Sequence, residues 1–262
     1  MEVPIYSIKG KASKKSAQLP DAFNEPVRLD LIRKAVRASR ANRRQPYGAS
    51  KGAGFRHSVS WPGKGRGMAR TPRKNGGGGR GAEAPNTIGG RRAHPPKAEK
   101  NWSLKINSKE NKKAFKSALA ATSQESYVLA RGHQIPEKAT LPYVVEDKIE
   151  TLAKDNEGGS LTKRASSLLD SLGLLDDVKR SRDGKGIRAG KGKSRGRKYR
   201  TPKSILLVLS EDNDSEKAFR NLSGIDVTTS KNLNTELLAP GGDPGRLVVF
   251  SKSAVSALGE RL

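Results

Sequence analysis

Short apolar runs and helix-like apolar stripes alternate along most of the chain. The most apolar run, residues 205–209, is unbroken (Ile-Leu-Leu-Val-Leu), which is typical of a strand covered on both faces. Shorter strands are predicted at residues 3–8, 127–130, 143–145, 225–227 and 247–250. Because strands alternate with helical segments, the pattern predicts an α/β fold with three layers, a mainly parallel sheet with helices on both faces.

Helical periodicity places helices between these strands. In residues 161–175, apolar side chains recur at intervals of four and three, and Asn107 followed by Glu110 predicts the start of a helix that continues to about residue 122. A helix over residues 27–41 has a weaker stripe, whose predicted inward side chains are Leu29, Ile32, Val36 and Ser39. The remaining helices are predicted near residues 147–154, 215–221 and 233–238 and around Val255, Leu258 and Leu262.

The helix over residues 27–41 also carries a basic face. Its arginines recur at four, three and four residues, at Arg33, Arg37, Arg40 and Arg44. An arginine row of this kind is ordinarily a solvated face. Here the row continues into a longer basic tract, so we predict that it faces phosphates.

The basic tract, residues 40–100, interrupts the α/β pattern. Basic side chains recur throughout it and are opposed only by Glu83 and Glu99. It has few apolar residues, and the four glycines at positions 76–79 favour neither helix nor strand, so without a partner the tract is predicted to be disordered. We therefore expect the tract to become ordered only when it binds a polyanion.

A second basic stretch covers residues 179–200 and is opposed by Asp183 alone. With it, the chain divides into three parts. Residues 1–43 are predicted to begin the globular domain, residues 44–100 to form a long extended irregular loop, and residues 101–262 to complete the domain, with a second basic loop at residues 179–203.

The net charge favours a nucleic-acid partner. Lys and Arg number 52 against 26 Asp and Glu, which gives a formal charge of +26. The chain has no cysteine, and its three histidines (His57, His94, His133) are too scattered for a metal cluster, so each is expected to be a polar or RNA-facing side chain. The aliphatic runs are too short to span a membrane, and the N-terminal segment lacks the apolar core of a signal peptide. A cytosolic protein without membrane contact is expected.

The candidate enzymatic motifs lack the neighbouring residues and secondary structure that their functions require. The segment 190–194 (Gly-Lys-Gly-Lys-Ser) resembles part of a phosphate-binding loop, but Ile187 stands where a glycine is needed and the apolar strand follows the segment instead of preceding it. The glycines at positions 63, 65, 67 and 76–79 do not follow a strand, so they form no dinucleotide fingerprint. The carboxylate pairs 146–147 and 176–177 are expected to begin helices or to lie in turns. We therefore predict no catalytic residue, no cofactor and no metal.

Planar side chains are interleaved with cations in the basic tract. Tyr47, Phe55, His57 and Trp61 stand among arginines and lysines. Guanidinium groups bind phosphates through paired hydrogen bonds, and aromatic rings stack on unpaired bases. Glycine lets the protein backbone come close to nucleic acid. This pattern favours RNA over duplex DNA.

Four ordered motifs carry a resemblance to a known family. They are residues 60–67 (Ser-Trp-Pro-Gly-Lys-Gly-Arg-Gly) with 69–73 (Ala-Arg-Thr-Pro-Arg), residues 116–122 (Lys-Ser-Ala-Leu-Ala-Ala-Thr), residues 188–193 (Arg-Ala-Gly-Lys-Gly-Lys), and residues 232–234 (Asn-Leu-Asn) with 237–242 (Leu-Leu-Ala-Pro-Gly-Gly). The chain resembles the universal large-subunit ribosomal protein four family in its archaeal and eukaryotic form. Because the long C-terminal extension of eukaryotic members is missing, an archaeal member is expected.

The resemblance implies a non-enzymatic structural protein of the large ribosomal subunit, without a homo-oligomer. The implied partners are large-subunit (23S-type) rRNA and other large-subunit proteins. The long loop is implied to line the nascent-peptide exit tunnel, where its further partners are protein twenty-two, at the tunnel constriction, and the nascent peptide. The implied rRNA-binding residues are Arg33, Arg37, Arg40, Arg43, Arg44, Lys51, Arg56, Trp61, Lys64, Arg80, Arg91, Arg92, Lys97, Arg188, Lys191, Lys193, Arg195, Arg197, Lys198 and Arg200. The implied tip of the tunnel loop comprises Trp61, Lys64, Arg66, Arg70, Arg73 and Lys74.

Two other functions remain open on the sequence. One is a regulatory RNA-binding protein that acts outside the ribosome, which sedimentation with large subunits would separate from the structural role. The other is a nucleotide-dependent α/β enzyme, which rests on fold analogy alone and requires nucleotide binding that persists at high salt.

Overall fold

A central sheet organises the globular part of the chain. The computed structural model describes residues 1–136, 139–152, 160–211 and 215–262. The strands within these ranges are β1 (Glu2–Tyr6), β2 (Ala12–Gln18), β3 (Val59–Ser60), β4 (Arg73–Lys74), β5 (Tyr143–Val145), β6 (Gly186–Ile187), β7 (Tyr199–Arg200), β8 (Leu206–Leu209), β9 (Asp226–Thr229) and β10 (Val248–Ser251). Six described strands form one sheet in the order β2-β1-β5-β10-β8-β9, in which β1 and β2 are antiparallel and every other neighbouring pair is parallel.

Successive side chains of the central strands enter two different cores. In β8, Leu206 and Val208 belong to one apolar cluster, whereas Leu207 and Leu209 belong to the other. Because side chains alternate along a strand, the two clusters lie on opposite faces of the sheet. The continuous apolar run is therefore explained by burial on both faces.

Helices cover both faces. The α-helices are α1 (Leu29–Asn42), α2 (Ser108–Ser123), α3 (Glu125–Ala130), α4 (Leu161–Ser171), α5 (Leu175–Asp183), α6 (Ser215–Phe219), α7 (Thr235–Leu238) and α8 (Lys252–Arg261). Short 3₁₀ helices lie at Asp21–Asn24, Asp147–Thr151, Lys191–Arg195 and Pro240–Gly242. Buried side chains of α1, α2, α7 and α8 contribute to the first core, and those of α3, α4, α5 and α6 contribute to the second. This three-layer arrangement confirms the predicted α/β fold.

One strand prediction was wrong, and one strand was missed. Residues 127–130 lie in helix α3 (Glu125–Ala130), where Val128 is buried and Leu129 is half exposed; a run this short does not distinguish a helix from a strand. Strand β2 was missed because its sequence is polar and its only buried residue is Ala17. It lies at an edge of the sheet, where a strand needs little apolar surface.

Several helix predictions need adjustment. The helix predicted over residues 161–175 is two helices, α4 and α5, separated at Gly173, whose φ of 70° lies in the left-handed region. Residues 147–151 form a 3₁₀ helix, and the predicted end at residue 154 lies outside the described residues. Leu29, predicted to face inward, is exposed, and Asn107 precedes α2 without a side-chain capping bond.

The chain divides into two compact units. One comprises residues 1–40 and 104–262, and the other comprises residues 41–103. No residue of 41–103, all of which the structure describes, belongs to either apolar core. Among the described residues, no helix combines the length and the apolar character needed to cross a bilayer.

Candidate nucleic-acid interface

Two successive turns shape the middle of the basic tract. Strands β3 and β4 pair antiparallel with Val59 opposite Lys74, which leaves residues 61–72 as the loop between them. The chain then reverses again, because Lys74 N donates to Arg80 O at 2.9 Å and Ala82 N donates to Pro72 O at 2.8 Å. The backbone therefore fixes three adjacent segments, residues 58–60, 72–75 and 80–82.

The glycine cluster forms the second of these turns. Gly76, Gly78 and Gly79 have φ values of 72°, 64° and 69°, in the left-handed region that glycine adopts without strain. The guanidinium of Arg73 donates to Gly79 O at 2.6 Å and ties the turn to β4. The cluster is thus a defined bend within the tract.

The predicted tip residues separate into two groups. Trp61, at 69% exposure, is exposed together with Lys64, Arg66 and Arg70 in the loop 61–72. Arg73 and Lys74 are half-buried in β4, and Arg73 uses its guanidinium to hold the glycine turn. The first group is available to a partner, and the second group positions the loop.

A third turn follows at residues 83–91. Arg91 N donates to Glu83 O at 3.2 Å and closes it, while the side chain of Ile88 is fully exposed at its outer end. The guanidinium of Arg91 lies 6.0 Å from the ring centre of Phe55. Gly54 is needed here, because a Cβ at that position would lie 2.4 Å from the backbone of Arg91.

A stack of rings and cations joins the two arms of the tract. The rings of Tyr47 and Trp102 stack with their centres 5.2 Å apart. The guanidinium of Arg44 lies 4.3 Å and the ammonium of Lys100 4.7 Å from the Trp102 ring centre. Trp102 was not predicted from the sequence, because nothing near it along the chain marks its partners. We call Arg44, Tyr47, Lys100 and Trp102 the neck cluster.

The arginine row of α1 is exposed at Arg33, Arg37 and Arg40. Arg33 forms an ion pair with Asp243, with its Nη2 3.3 Å from the carboxylate. Both partners are well exposed, and a pair of this kind contributes only about 0–1 kcal/mol to stability. Arg33 is therefore the least available member of the row, and the inward face of α1 consists of Ile32, Ala35, Val36 and Ala38.

The second basic stretch is a hairpin. Strands β6 and β7 pair antiparallel, and residues 191–195 form a 3₁₀ turn between them. This is not the parallel-strand and helix geometry of a nucleotide cradle, so the rejection of a phosphate-binding loop at residues 190–194 agrees with the structure. The hairpin instead encloses an open cleft of about 520 Å³ lined by Arg188, Ala189, Gly190, Gly192, Arg197 and Arg200.

The arginines of this cleft retain their charge for a partner. Within the described ranges, Arg188, Arg197 and Arg200 form no ion pair with a carboxylate. Guanidinium groups that converge on glycine backbone suit a phosphate. Of the predicted RNA-binding residues, all are exposed except the half-buried Arg91.

The globular unit contains a buried polar network of the opposite character. The Nδ1 atom of His133 lies 3.0 Å from Asp177, whose carboxylate also accepts from Ser204 and Arg180. Burial alone would raise the pKa of Asp177, but these hydrogen bonds outweigh it and lower the pKa to about 2. Burial also lowers the pKa of His133, so a neutral ring donates to an ionised carboxylate. Of the two roles expected for His133, the RNA-facing one was wrong, because the side chain is buried, and it is instead a hydrogen-bonded polar side chain.

Arg246 is a buried arginine, unlike the exposed arginines of the two basic stretches. Its side chain is 0% exposed, and its Nη2 lies 2.7 Å from Asp226. It also donates to the carbonyl groups of Ser204 at 2.9 Å and Leu237 at 3.0 Å. This arginine joins the segment before β8 to the C-terminal end of α7 and is not available to a ligand.

The comparison with known families decides the relationship. A profile of the ribosomal protein L4/L1 family matches residues 17–261, nearly the whole chain. The chain belongs to this family. A large ribosomal subunit protein uL4 of Haloquadratum walsbyi is 47% identical over 261 residues that cover both proteins completely. The protein of the same name from Methanopyrus kandleri is 45% identical over 266 residues, which cover all of this chain and 99% of the relative.

A third L4/L1-family relative, the uL4 protein of Methanococcoides burtonii, is 48% identical over 252 residues, or 96% of this chain and 95% of the relative. The resemblance inferred from four motifs is therefore confirmed, and the chain is an archaeal-type member of the family. Full-length coverage means that both basic stretches fall within the region shared with these relatives.

Proposed function

We propose that this chain is a structural, non-enzymatic constituent of the large ribosomal subunit in the cytoplasm and that it binds the rRNA of that subunit. The observation that carries the proposal is the unit at residues 41–103, which exposes many cations, contains only two carboxylates (Glu83 and Glu99) and contributes nothing to either apolar core. The names of the full-length relatives support the same assembly.

Binding rests on two exposed basic surfaces. The tract offers guanidinium groups to phosphates and the rings of Phe55 and Trp61 to unpaired bases. The hairpin at residues 186–200 offers its arginine cleft to a phosphate. Removal of one cation that binds a phosphate should reduce the salt dependence of binding by roughly 0.7–0.9 in the log–log slope.

The loop 61–72 is proposed to line the peptide exit tunnel. Its exposed members Lys64, Arg66 and Arg70 would face the nascent peptide or the adjoining rRNA, close to ribosomal protein twenty-two. Arg73 and Lys74 would act indirectly by positioning the loop. In this division, residues 44–100 form the rRNA and tunnel loop, residues 179–203 form a second rRNA loop, and the remainder folds as the globular domain of a chain without a homo-oligomer.

Sedimentation of the tagged full-length chain from cells at high salt, followed by RNA crosslinking, tests the proposal. The expected result is retention in the large subunit, with rRNA crosslinks in residues 40–100 and 179–200. Release from the subunit with crosslinks mainly to messenger RNA would favour a regulatory protein. Release without any RNA crosslink would contradict both RNA-binding functions.

A further inference from the structure

A lysine row on helix α2 lies outside both basic stretches. Lys109, Lys112, Lys113 and Lys116 recur at three and four residues in the first half of α2. None of them forms an ion pair with a carboxylate among the described residues. The carboxylate within the row, Glu110, is occupied by Lys34 at 2.7 Å. The row therefore keeps its positive charge.

This position of the lysines does not serve the stability of the helix. The N-terminal end of a helix carries partial positive charge, so a cation in the first turn is unfavourable and a carboxylate is favourable. Lys109 lies in the first turn of α2, whereas Lys112 and Lys113 lie in the second turn, beyond most of this effect. The row therefore gains no stability from the helix terminus, and its charge is available to an anion.

A cavity opens beside the row. It has a volume of about 200 Å³, and Lys112, Lys116 and Arg261 line it together with the apolar side chains of Phe115 and Leu233. The guanidinium of Arg261 lies 5.2 Å from the Phe115 ring centre and donates to Ser230 O at 2.5 Å, so it is held at the edge of the cavity. Cations thus surround an apolar floor.

Amide groups complete the lining. Asn111 and Asn234 both border the cavity. The Oδ1 atom of Asn234 accepts from Leu237 N at 2.9 Å, and its amide hydrogens have no partner among the described residues. Side-chain amides are suited to the hydrogen-bonding edges of nucleobases.

We propose that this cavity binds one unstacked RNA base, with the flanking phosphates on Lys112, Lys116 and Arg261. The cavity is smaller than the roughly 300–1,000 Å³ of sites for larger ligands, which suits a single base. An acidic protein segment would satisfy the lysines, but its carboxylates bring no planar apolar face for the floor formed by the partly exposed Phe115 ring. The identity of the partner rests on the proposed rRNA function, whereas the site is separate from both basic stretches.

Charge reversal tests the site in the full-length chain. The double variant Lys112→Glu, Lys116→Glu is compared with Lys14→Glu, Lys15→Glu, which makes the same charge change at exposed positions of β2. For binding to large-subunit rRNA, the first variant should lower the log–log salt slope by about 1.4, at 0.7 for each single-strand phosphate. Its thermal stability should match that of the control, because none of the four side chains is buried. Equal slopes for the two variants would overturn the proposal.

A photoreactive phenylalanine analogue at the exposed position 232, which is next to the lining residue Leu233 but does not line the cavity itself, identifies the occupant in assembled subunits. Crosslinks to an rRNA nucleotide are expected. Crosslinks to a protein would overturn the proposal in favour of an acidic partner, and their absence while residues 40–100 do crosslink to rRNA would overturn it while leaving the proposed function intact. If the chain does not sediment with subunits, the proposed function fails, and the comparison of salt slopes with purified rRNA still decides whether the cavity binds RNA.

Discussion

The globular unit contains a fully buried arginine, whereas no arginine of residues 41–103 is fully buried. In the globular unit, Arg246 is fully buried, and its guanidinium is shared among Asp226 and several backbone carbonyl groups. In the unit at residues 41–103, arginines such as Arg66 and Arg70 are exposed. A buried charge must be satisfied within the protein, whereas an exposed one is left for a partner. The environment of each arginine therefore separates a stabilising role from a binding role.

Hydrogen bonding distinguishes the units as well. The globular unit is built from a multi-stranded sheet and helices around two apolar cores. The other unit relies on a two-residue ladder, tight turns and the bond from Arg73 to Gly79 O. Its order is local, so changes within it should leave the sheet unaffected. The following predictions test this separation, from the largest expected effect on the sheet to the smallest.

Replacement of Arg246 by Met should destabilise the chain most. The change leaves carbonyl groups of Ser204 and Leu237 without a donor and removes one of the two cations on Asp226, which keeps Lys203 at 2.8 Å. Leaving a buried acceptor unsatisfied costs about 1–3 kcal/mol for each group. Urea unfolding followed by circular dichroism measures the loss. Arg33→Met, which removes an exposed pair with Asp243, is the control and should cost about 0–1 kcal/mol. Similar losses in the two variants would contradict the assignment.

A smaller loss of folding stability should follow from lowering the pH. Because the pKa of His133 is lower in the folded chain, the unfolded chain binds more protons as the pH falls below about 6.5. Stability is therefore lost as the pH falls from about 6.5 toward the folded pKa, by at most about 1.4 kcal/mol per pH unit. Asp177, whose pKa is about 2 when folded, adds a further loss in the same direction below about 3.9.

Equilibrium unfolding across this pH range tests the assignment. His133→Gln should remove the slope just below pH 6.5 and keep the loss at more acidic pH, while His94→Gln, at an exposed position, should change neither. A variant of His133 with an unchanged slope would contradict the linkage.

Replacement of Trp102 by Ala should loosen only the tract. It removes the ring stack with Tyr47, worth about 0.5–1.5 kcal/mol, and the cation contacts of Arg44 and Lys100, worth about 0.5–1 kcal/mol each at exposed sites. Limited trypsin digestion with mass spectrometry should show faster cleavage within residues 41–103 and an unchanged unfolding midpoint. Trp61→Ala is the control and should not alter cleavage, since Trp61 is exposed. Slower cleavage, or a shifted midpoint, would show that the neck cluster has another role.

Deletion of residues 63–79 should have the smallest effect on the sheet. The segment supplies no residue to either core, so the free energy of unfolding should change by less than about 0.5 kcal/mol. Incorporation of the chain into large subunits should nevertheless be impaired. Thermal unfolding and gradient sedimentation of the same variant measure the two properties. Unfolding of the globular unit on deletion would contradict the prediction that it folds without residues 63–79.

The pattern of apolar residues predicted the strands and helices whose side chains are buried in the two cores. The run at residues 205–209 became β8, and the leucine stripe of residues 161–175 identified the core side chains of α4. The break at Gly173 was not predicted, because the apolar spacing continues across it while the backbone reverses its φ. Likewise, the segment 127–130 is apolar enough for either element, and its helix is fixed by packing of Val128 in the second core.

The candidate interface was predictable in composition but not in geometry. Charge identified the tract and the hairpin at residues 186–200, yet the pairing of β3 with β4 depends on single backbone bonds that leave no pattern in the sequence. Trp102 was missed because Tyr47 lies far away along the chain. The α2 lysines were missed because a helical row of lysines is ordinarily a solvated face. Only the cavity beside them distinguishes this row.

Strand β2 matters while the chain is free in solution. An open sheet edge presents unpaired backbone groups to any extended peptide and can seed aggregation. Here the outermost strand carries Lys14 and Lys15 and exposes them to water. Two approaching copies would bring these like charges together, so the edge resists growth of the sheet from one molecule to the next. The polar sequence that hid β2 from prediction thus protects a newly made, highly charged protein from self-assembly.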